Sequence, residues 1–118
     1  IADKKSENKM MVGNIDVARD FTDVRDVVDA YYKILTCASN RQVYNVCSGK
    51  ATKLRDIIDM ASNKLQIKPN IIIDKSRLRS NEIMVVVGDN TKIKSELGWK
   101  PKYTLEQTIS DIISNQRS

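Results

Sequence analysis

The sequence predicts a small α/β domain in which helices pack on a few short strands. Amphipathic helical patterns alternate along the chain with short β-branched runs, as expected of such a fold. The 118 residues are enough for one hydrophobic core, and no repeat or linker divides them. With 41% hydrophobic and 30% charged residues and only two prolines, the composition is that of a globular protein.

The first part of the chain predicts a strand, a helix and a second strand. Residues 10–12 form a short apolar run, and residues 43–47 are rich in β-formers and short enough for a buried strand. Thr22 or Asp23 can cap the helix between them, and residues 39–40 end it. Its apolar residues recur at helical spacing and should form one buried stripe: Val24, Val27, Val28, Tyr31, Ile34, Leu35 and Ala38.

A second helix and a third strand follow. We expect Thr52 to cap this helix. Its predicted buried residues are Leu54, Ile57, Ile58, Ala61 and Leu65. Pro69 cannot continue the helix, and the β-branched run 71–73 predicts a strand. Residues 74–89 give a weaker pattern, which predicts a polar loop with an extended stretch at 84–87.

Two more helices complete the pattern. The first spans residues 91–97 and ends at Gly98, because glycine readily adopts the left-handed conformation of a helix end. The second begins near Thr104 and should bury Leu105, Thr108, Ile109, Ile112 and Ile113. Residues 1–9 are polar and are expected to form a mobile segment, so the predicted domain spans residues 10–118.

Several residue types needed for catalysis are missing. The chain has no histidine, which excludes a Ser–His or Cys–His pair and an imidazole general base. Its four glycines form neither a GxGxxG nor a GxxxxGK[ST] turn, and no tyrosine is followed four residues later by lysine. Cys37 and Cys47 lack CxxC spacing and are expected to be reduced structural thiols of a cytoplasmic protein, with a disulfide or a reactive cysteine as the alternative. The sequence therefore predicts no catalytic group.

The charge balance limits the classes of partner. Twenty basic against 15 acidic residues give a net charge of +5, which favours an anionic partner. Nucleic acid is not expected, because one Trp, four Tyr and one Phe offer few stacking platforms and no binding motif is present. Membrane insertion is not expected either, since the longest apolar run covers only residues 83–87. Four aspartates at three-residue spacing are typical of the start and solvated side of a helix, with a metal site as the alternative: Asp20, Asp23, Asp26 and Asp29.

Two places carry candidate anion-binding cations. Arg19 lies just before the first helix, where an ion pair with Asp20 or Asp23, or a solvated charge, is the alternative interpretation. The other place is the basic stretch 75–79, which is followed by Glu82. If this stretch is extended, Lys75, Arg77 and Arg79 point to one side.

This combination suits a nucleoside diphosphate. The planar fork of arginine matches phosphate oxygens, and a carboxylate can accept hydrogen bonds from a ribose diol. An arginine pair beside an acidic residue is what recognition of such a ligand requires. A basic surface loop is the alternative.

Three blocks of sequence carry a family resemblance. They are GNIDVARDFTDVRDVVDAYY, then VYNVCSGKATKLRDII, then RLRSNEIMVVVGDNTKIKSELGWKPKYTLEQTISDII, and together they cover roughly residues 10 to 115. In this order they resemble the C-terminal substrate domain of extended short-chain dehydrogenases/reductases that act on nucleotide sugars. The chain is most similar to the subgroup of GDP-mannose 4,6-dehydratases and GDP-4-keto-6-deoxymannose reductases, and RDFTDVRDVV resembles the reductase branch more.

The resemblance implies a binding role for three residues. Arg19 and Arg79 match side chains that clamp the diphosphate of the GDP-sugar substrate, and Glu82 matches the carboxylate that bonds the ribose. It also implies that NAD(P) and the catalytic residues belong to an N-terminal Rossmann domain, so this chain is expected to bind no cofactor and to be inactive alone. The alternatives are a related epimerase or dehydratase for another nucleotide sugar, and a non-catalytic module that binds an anion or nucleic acid.

The chain departs from the family pattern in two ways. Ser80 and Met84 stand where the family usually has proline, which should loosen the loop that presents Arg79 and Glu82. The larger departure is the missing Rossmann half. We therefore expect an excised C-terminal domain whose partner is that half, with an exposed apolar interdomain surface that allows self-association.

Overall fold

The computed structural model describes residues 9–37 and 42–117. The strands are β1 (Lys9–Val12), β2 (Ala18–Asp20), β3 (Ala51–Lys53) and β4 (Asn70–Ile73). The helices are α1 (Val24–Cys37), α2 (Leu54–Leu65), α3 (Thr91–Leu97) and α4 (Leu105–Arg117). The predicted α/β class is confirmed. Most of the predicted mobile segment 1–9 and the predicted helix end at 39–40 lie outside the described residues.

The strands form two separate pairs. β1 and β4 are parallel, with Lys9 opposite Asn70 and Val12 opposite Ile73, which confirms both predicted strands. β2 and β3 are antiparallel, with Ala18 opposite Lys53. The sequence did not predict this second pair, because three-residue strands show no usable alternation.

A short extended stretch lies beside β2, as predicted for residues 84–87. Ala18 pairs with Val85 in a single parallel bridge. The amide of Ala18 donates to the Met84 carbonyl at 2.6 Å, and the amide of Val86 donates to the Ala18 carbonyl at 2.9 Å. The bridge places the segment after Glu82 next to the strand that carries Arg19.

The predicted strand at 43–47 is wrong. No strand of the described chain pairs with it, so its backbone lacks a hydrogen-bonded ladder. Side chains hold it instead: the Tyr44 hydroxyl donates to Glu96 at 3.0 Å, and the Asn90 side-chain amide donates to the Cys47 carbonyl at 2.8 Å. Val43 is 78% exposed.

The helix caps were predicted with mixed success. Asp23 caps α1, since its carboxylate accepts from the amide of Arg25 at 2.8 Å, and Gly98 ends α3 with a φ of 68°. Thr52 does not cap α2, because it lies in β3 opposite Arg19. The first amides of α2 donate instead to the carbonyls of Val17 and Ile15, at 3.1 and 2.8 Å.

A small core joins α1 to α3 and to the segment between α3 and α4. Ala30, Ile93 and Trp99 are fully buried, and the Trp99 indole donates to the Asp26 carbonyl at 3.0 Å. The Asp26 carboxylate accepts from the amides of Lys102 and Tyr103, at 3.0 and 3.2 Å. Asp26 is therefore a buried hydrogen-bonding group.

Asp23 lies at the start of α1, as expected, but it is buried rather than solvated. Asp23 is 7% exposed, pairs with Arg25 at 2.8 Å and accepts from the Thr108 hydroxyl at 2.6 Å. These contacts replace the water that a buried carboxylate loses. No group of acidic, cysteine or histidine residues in the described ranges is arranged to hold a metal ion.

The predicted apolar stripe of α1 is mostly exposed. Val24, Val28, Tyr31 and Leu35 are 71, 61, 57 and 85% exposed, and Ile112 of α4 is also uncovered. The molecule measures 54 × 40 × 16 Å, so its thin dimension is little more than one layer of helices. Its radius of gyration of 17.4 Å exceeds the roughly 13.5 Å of a compact chain of this length. The periodicity predicted the helix correctly, but no described segment covers its apolar face.

Among the residues described, no helix is long and apolar enough to cross a bilayer.

Candidate functional site

An open cavity of about 670 Å³ contains all three sequence-predicted site residues. Arg19, Arg79 and Glu82 line it, together with Arg77. Its apolar wall comes from β1 and α2 and includes Met10, Met11, Leu54, Ile57 and Ile58. We call this the arginine cavity. It combines three guanidinium groups, one carboxylate and an apolar surface.

Arg19 reaches the arginine cavity from β2. Its guanidinium donates to the Ala18 carbonyl at 2.9 Å, and no carboxylate of the described residues pairs with it. The alternative of an ion pair with Asp20 or Asp23 is wrong, because those carboxylates bind backbone amides and Arg25. The charge of Arg19 is therefore not neutralised by an ion pair within the described residues.

Arg77 and Arg79 follow β4 on a tight turn. Lys75–Arg77 is one turn of 3₁₀-helix, so the predicted extended stretch, with Lys75 on the same side, is wrong. Asp74 causes the turn, since its carboxylate accepts from the Ser76 amide at 3.0 Å and the Ser76 hydroxyl at 2.6 Å. Lys75 does not line the cavity, whereas Arg77 and Arg79 do.

The four charged residues of the cavity differ in their partners. Arg77 lies 3.3 Å from the Asp74 carboxylate and donates to the Met11 carbonyl at 3.3 Å, so β4 and β1 anchor it. Arg79 is exposed and Glu82 is half-buried, and in the described part of the chain neither side chain has a hydrogen-bond or ion-pair partner. Arg79 and Glu82 therefore have their full hydrogen-bonding capacity available.

Arg77 belongs to the basic stretch 75–79 that the sequence offered as anion-binding, but it was not among the three residues to which the resemblance gave a binding role. In the structure Arg77 packs against Gly13, since a Cβ at position 13 would lie 3.2 Å from the Arg77 Cβ. A larger residue at position 13 would push Arg77 away from β1. The residue pattern alone could not show that two segments 64 positions apart meet.

Asp20 stands beside Arg19 and is ionised. Burial raises the pKa of Asp20, but hydrogen bonds from Ser48, Gly88 and Gly49 lower it by more, so the pKa lies below its ordinary value. These donors occupy both oxygens of the carboxylate.

The cysteines offer no nucleophile to the arginine cavity. Both thiols are free, and Cys37 is exposed at the end of α1. Burial raises the pKa of the Cys47 thiol, and the nearby Asp20 carboxylate raises it further. A thiol with a raised pKa stays protonated and is a poor nucleophile.

A second depression, of about 520 Å³, lies near the start of α4. Its cations are all lysines: Lys50, Lys94, Lys100 and Lys102. Lysine is a point charge on a flexible stem and lacks the bidentate fork of arginine. The arginine cavity is therefore the better candidate for recognising a diphosphate.

The glycines do not fit a dinucleotide cofactor. A dinucleotide-binding turn needs closely spaced glycines that leave the backbone open to phosphate. Here Gly13, Gly49 and Gly88 have Arg77, Asn90 and Cys47 packed against the positions where a Cβ would be. No residue of the described chain is therefore assigned to NAD(P).

Comparisons with known proteins give matches over most of the chain. The family model described as GDP-mannose 4,6 dehydratase matches residues 1–112. GDP-6-deoxy-D-mannose reductase of Pseudomonas aeruginosa is 39% identical over 94% of this chain and 36% of its own length. UDP-arabinose 4-epimerase 1 of Arabidopsis thaliana is 35% identical over 73% of this chain and 20% of its own length.

Solved structures agree with these matches. The structure of RMD from Pseudomonas aeruginosa complexed with NADPH superposes with a TM-score of 0.86 at 37% identity, over 94% of this chain and 37% of that one. The chain thus spans little more than a third of the length of the GDP-6-deoxy-D-mannose reductase and of the solved NADPH complex, and a fifth of the length of the epimerase. Its fold is that of the C-terminal portion of extended short-chain dehydrogenases/reductases, and the chain belongs to the GDP-mannose 4,6 dehydratase family.

Proposed function

We propose that this chain is the GDP-sugar-binding portion of a GDP-mannose 4,6-dehydratase or a GDP-4-keto-6-deoxymannose reductase. Arg19 and Arg79 hold the diphosphate, and Glu82 accepts hydrogen bonds from the ribose. Residues 10–118 form the binding domain. The main support is that the two arginines and the glutamate line one cavity while their charges stay unpaired within the described residues.

The chemistry of the cavity supports a diphosphate ligand. A diphosphate presents oxygens on two phosphorus atoms, and guanidinium groups on separate segments can bind it from both sides. The apolar wall from α2 and β1 offers a surface for the less polar parts of the ligand. Such a clamp orients the sugar and performs no bond-breaking step.

We further propose that NAD(P) and the catalytic residues belong to the part of the enzyme outside this chain. The Pseudomonas aeruginosa reductase and the chain solved with NADPH are almost three times as long as their matched regions. The exposed apolar face of α1 then packs against that part. Two observations support such a contact. The molecule is thin, and the apolar side chains of α1 are exposed: Val24, Val28, Tyr31 and Leu35.

Ligand binding by this chain tests the proposal. GDP titrated into the chain should bind, as measured by calorimetry or by NMR shifts. Replacing Arg79 with alanine should weaken binding roughly 10- to 100-fold, since a hydrogen bond to a charged group contributes about 1.5–3 kcal/mol. The circular dichroism of the variant should match that of the wild type, because Arg79 is exposed and has no described partner.

Arg55→Ala is the matched control. This substitution removes one positive charge, as Arg79→Ala does. Arg55, however, pairs with Asp16 at 2.8 Å and does not line the arginine cavity. Its loss should change GDP affinity much less than the loss of Arg79. If the wild type binds no GDP, or if both variants bind equally well, the proposal is wrong. Tighter binding of UDP than of GDP would instead favour an enzyme of another nucleotide sugar.

A further inference from the structure

The Asp20 carboxylate joins three segments of the chain. Its Oδ1 accepts from the Ser48 amide at 2.9 Å and from the Ser48 hydroxyl at 2.5 Å. Its Oδ2 accepts from the amide of Gly49 at 2.9 Å and from that of Gly88 at 3.1 Å. All four donors lie at least 28 residues away in sequence. One side chain thus ties β2 to the turn at 48–49 and to the segment that ends at Gly88.

The bond to Gly88 extends the pairing between β2 and residues 84–86. In a parallel ladder that starts with Ala18 and Val86, the next rung would join the Gly88 amide to the backbone carbonyl of Asp20. The Asp20 side chain accepts this amide instead. A carboxylate forms a stronger bond than a carbonyl, so the two segments are held firmly side by side.

Close packing around Gly88 leaves the segment little freedom. A Cβ at position 88 would lie 2.5 Å from the Cys47 Sγ and 3.5 Å from the Asp20 Oδ2. The approach of the Gly88 backbone to Cys47 therefore depends on the absence of a side chain at position 88, whereas the distance to Asp20 is ordinary van der Waals contact. This packing holds Gly88 where its amide reaches Asp20.

We propose that Asp20 is a positioning residue that sets the separation between Arg19 and Arg79 across the arginine cavity. Arg19 is its neighbour on β2, and Arg79 and Glu82 precede the segment that Asp20 anchors. This inference rests on the proposed function, because a fixed separation matters only if one ligand touches both arginines. A diphosphate held from two segments requires the segments to stay in place.

Asp20→Asn separates positioning from charge. Asparagine keeps the shape but replaces one oxygen with an NH₂ group that faces amide donors, so bonds to Ser48, Gly49 or Gly88 are lost. If only charge mattered, removing a negative charge beside Arg19 would strengthen the binding of anionic GDP. We expect the opposite sign, a loss of affinity of about tenfold or more, at a temperature where the variant is folded.

Asp16→Asn is the matched control. It removes the same charge near β2, but Asp16 is exposed and pairs with Arg55 outside the cavity. We expect its GDP affinity to be unchanged or slightly higher. Amide hydrogen exchange supplies an independent measurement: Gly88 should exchange faster in Asp20→Asn and at the wild-type rate in Asp16→Asn.

Ser48→Ala keeps the test decisive if Asp20→Asn does not fold. It removes only the hydroxyl donor, so a smaller loss of affinity in the same direction is expected. Folded variants that bind GDP as tightly as the wild type would overturn the role of Asp20. A wild type that binds no GDP would instead refute the proposed function, and the two failures are thus distinguishable.

Discussion

Replacing Gly88 with alanine tests how closely the segments of Gly88 and Cys47 must approach each other. The new Cβ would lie 2.5 Å from the Cys47 Sγ and 2.8 Å from the Cys47 Cβ, well inside van der Waals contact. The sulfur can rotate away, but the Cys47 Cβ is attached to the backbone. The two backbones therefore have to separate.

One stabilising and two destabilising effects determine how much Gly88→Ala changes the free energy of unfolding. Gly88 has no positive φ, so alanine can adopt its backbone conformation. By restricting the unfolded chain, alanine would add about 0.4–1 kcal/mol to the free energy of unfolding. Overpacking costs about 1–3 kcal/mol. Separation also strains the 3.1 Å bond to Asp20, and a bond to a charged group is worth about 1.5–3 kcal/mol. We expect the free energy of unfolding to fall by about 2–4 kcal/mol.

Urea denaturation of four proteins measures this effect: the wild type, Gly88→Ala, Cys47→Ala and the double variant. Cys47→Ala removes the sulfur but leaves the Cβ of residue 47, 2.8 Å from the new Cβ at position 88. It should therefore relieve only part of the steric clash. The double variant should be more stable than the sum of the single losses by about 0.5–1.5 kcal/mol. Strictly additive losses, or no loss in Gly88→Ala, would refute the close approach of these segments.

Two further predictions concern acid and self-association. Hydrogen bonds from Arg25 hold the pKa of Asp23 well below its usual range, against the effect of burial and with help from Thr108. Asp23 therefore stabilises the fold above its unfolded pKa of about 3.9, and this stabilisation is lost as pH falls toward the lower folded pKa. Asp23→Asn should flatten the loss of stability below about pH 4 in acid titrations followed by circular dichroism, and an equal slope would contradict this. Val24→Ser and Leu35→Ser should reduce self-association in sedimentation velocity without lowering Tm, because these residues are 71 and 85% exposed. A wild type that stays monomeric at high concentration would contradict self-association through the apolar face of α1.

The helices were predictable because their patterns are local. The periodicity of α1 and α2 and the end of α3 at Gly98 depend on residues within a few turns of each other. Strand pairing depends on distant partners, which explains why β2 and β3 were missed. The segment 43–47 has strand-forming residues but no described strand beside it, so composition alone gave the wrong prediction there.

The candidate site was predictable in its residue types and less so in its arrangement. Arg19, Arg79 and Glu82 were selected by their chemistry and by the family resemblance, and they line one cavity. The 3₁₀ turn around Arg77 depends on hydrogen bonds from Ser76 to Asp74, which residue alternation does not represent. The four contacts of Asp20 come from two distant segments, and nothing in its local sequence distinguishes it from a surface aspartate.

The parallel pairing of β1 with β4 affects when the arginine cavity can form. Lys9 and Asn70 are 61 residues apart, so this pair closes a long loop whose entropic cost must be met before its contacts form. Contacts of this sequence separation are characteristic of slow folding steps. We therefore expect the cavity to form late in folding. An anion that binds only the native state would raise the melting temperature, and the stabilisation would keep growing with the logarithm of ligand concentration after the site is full.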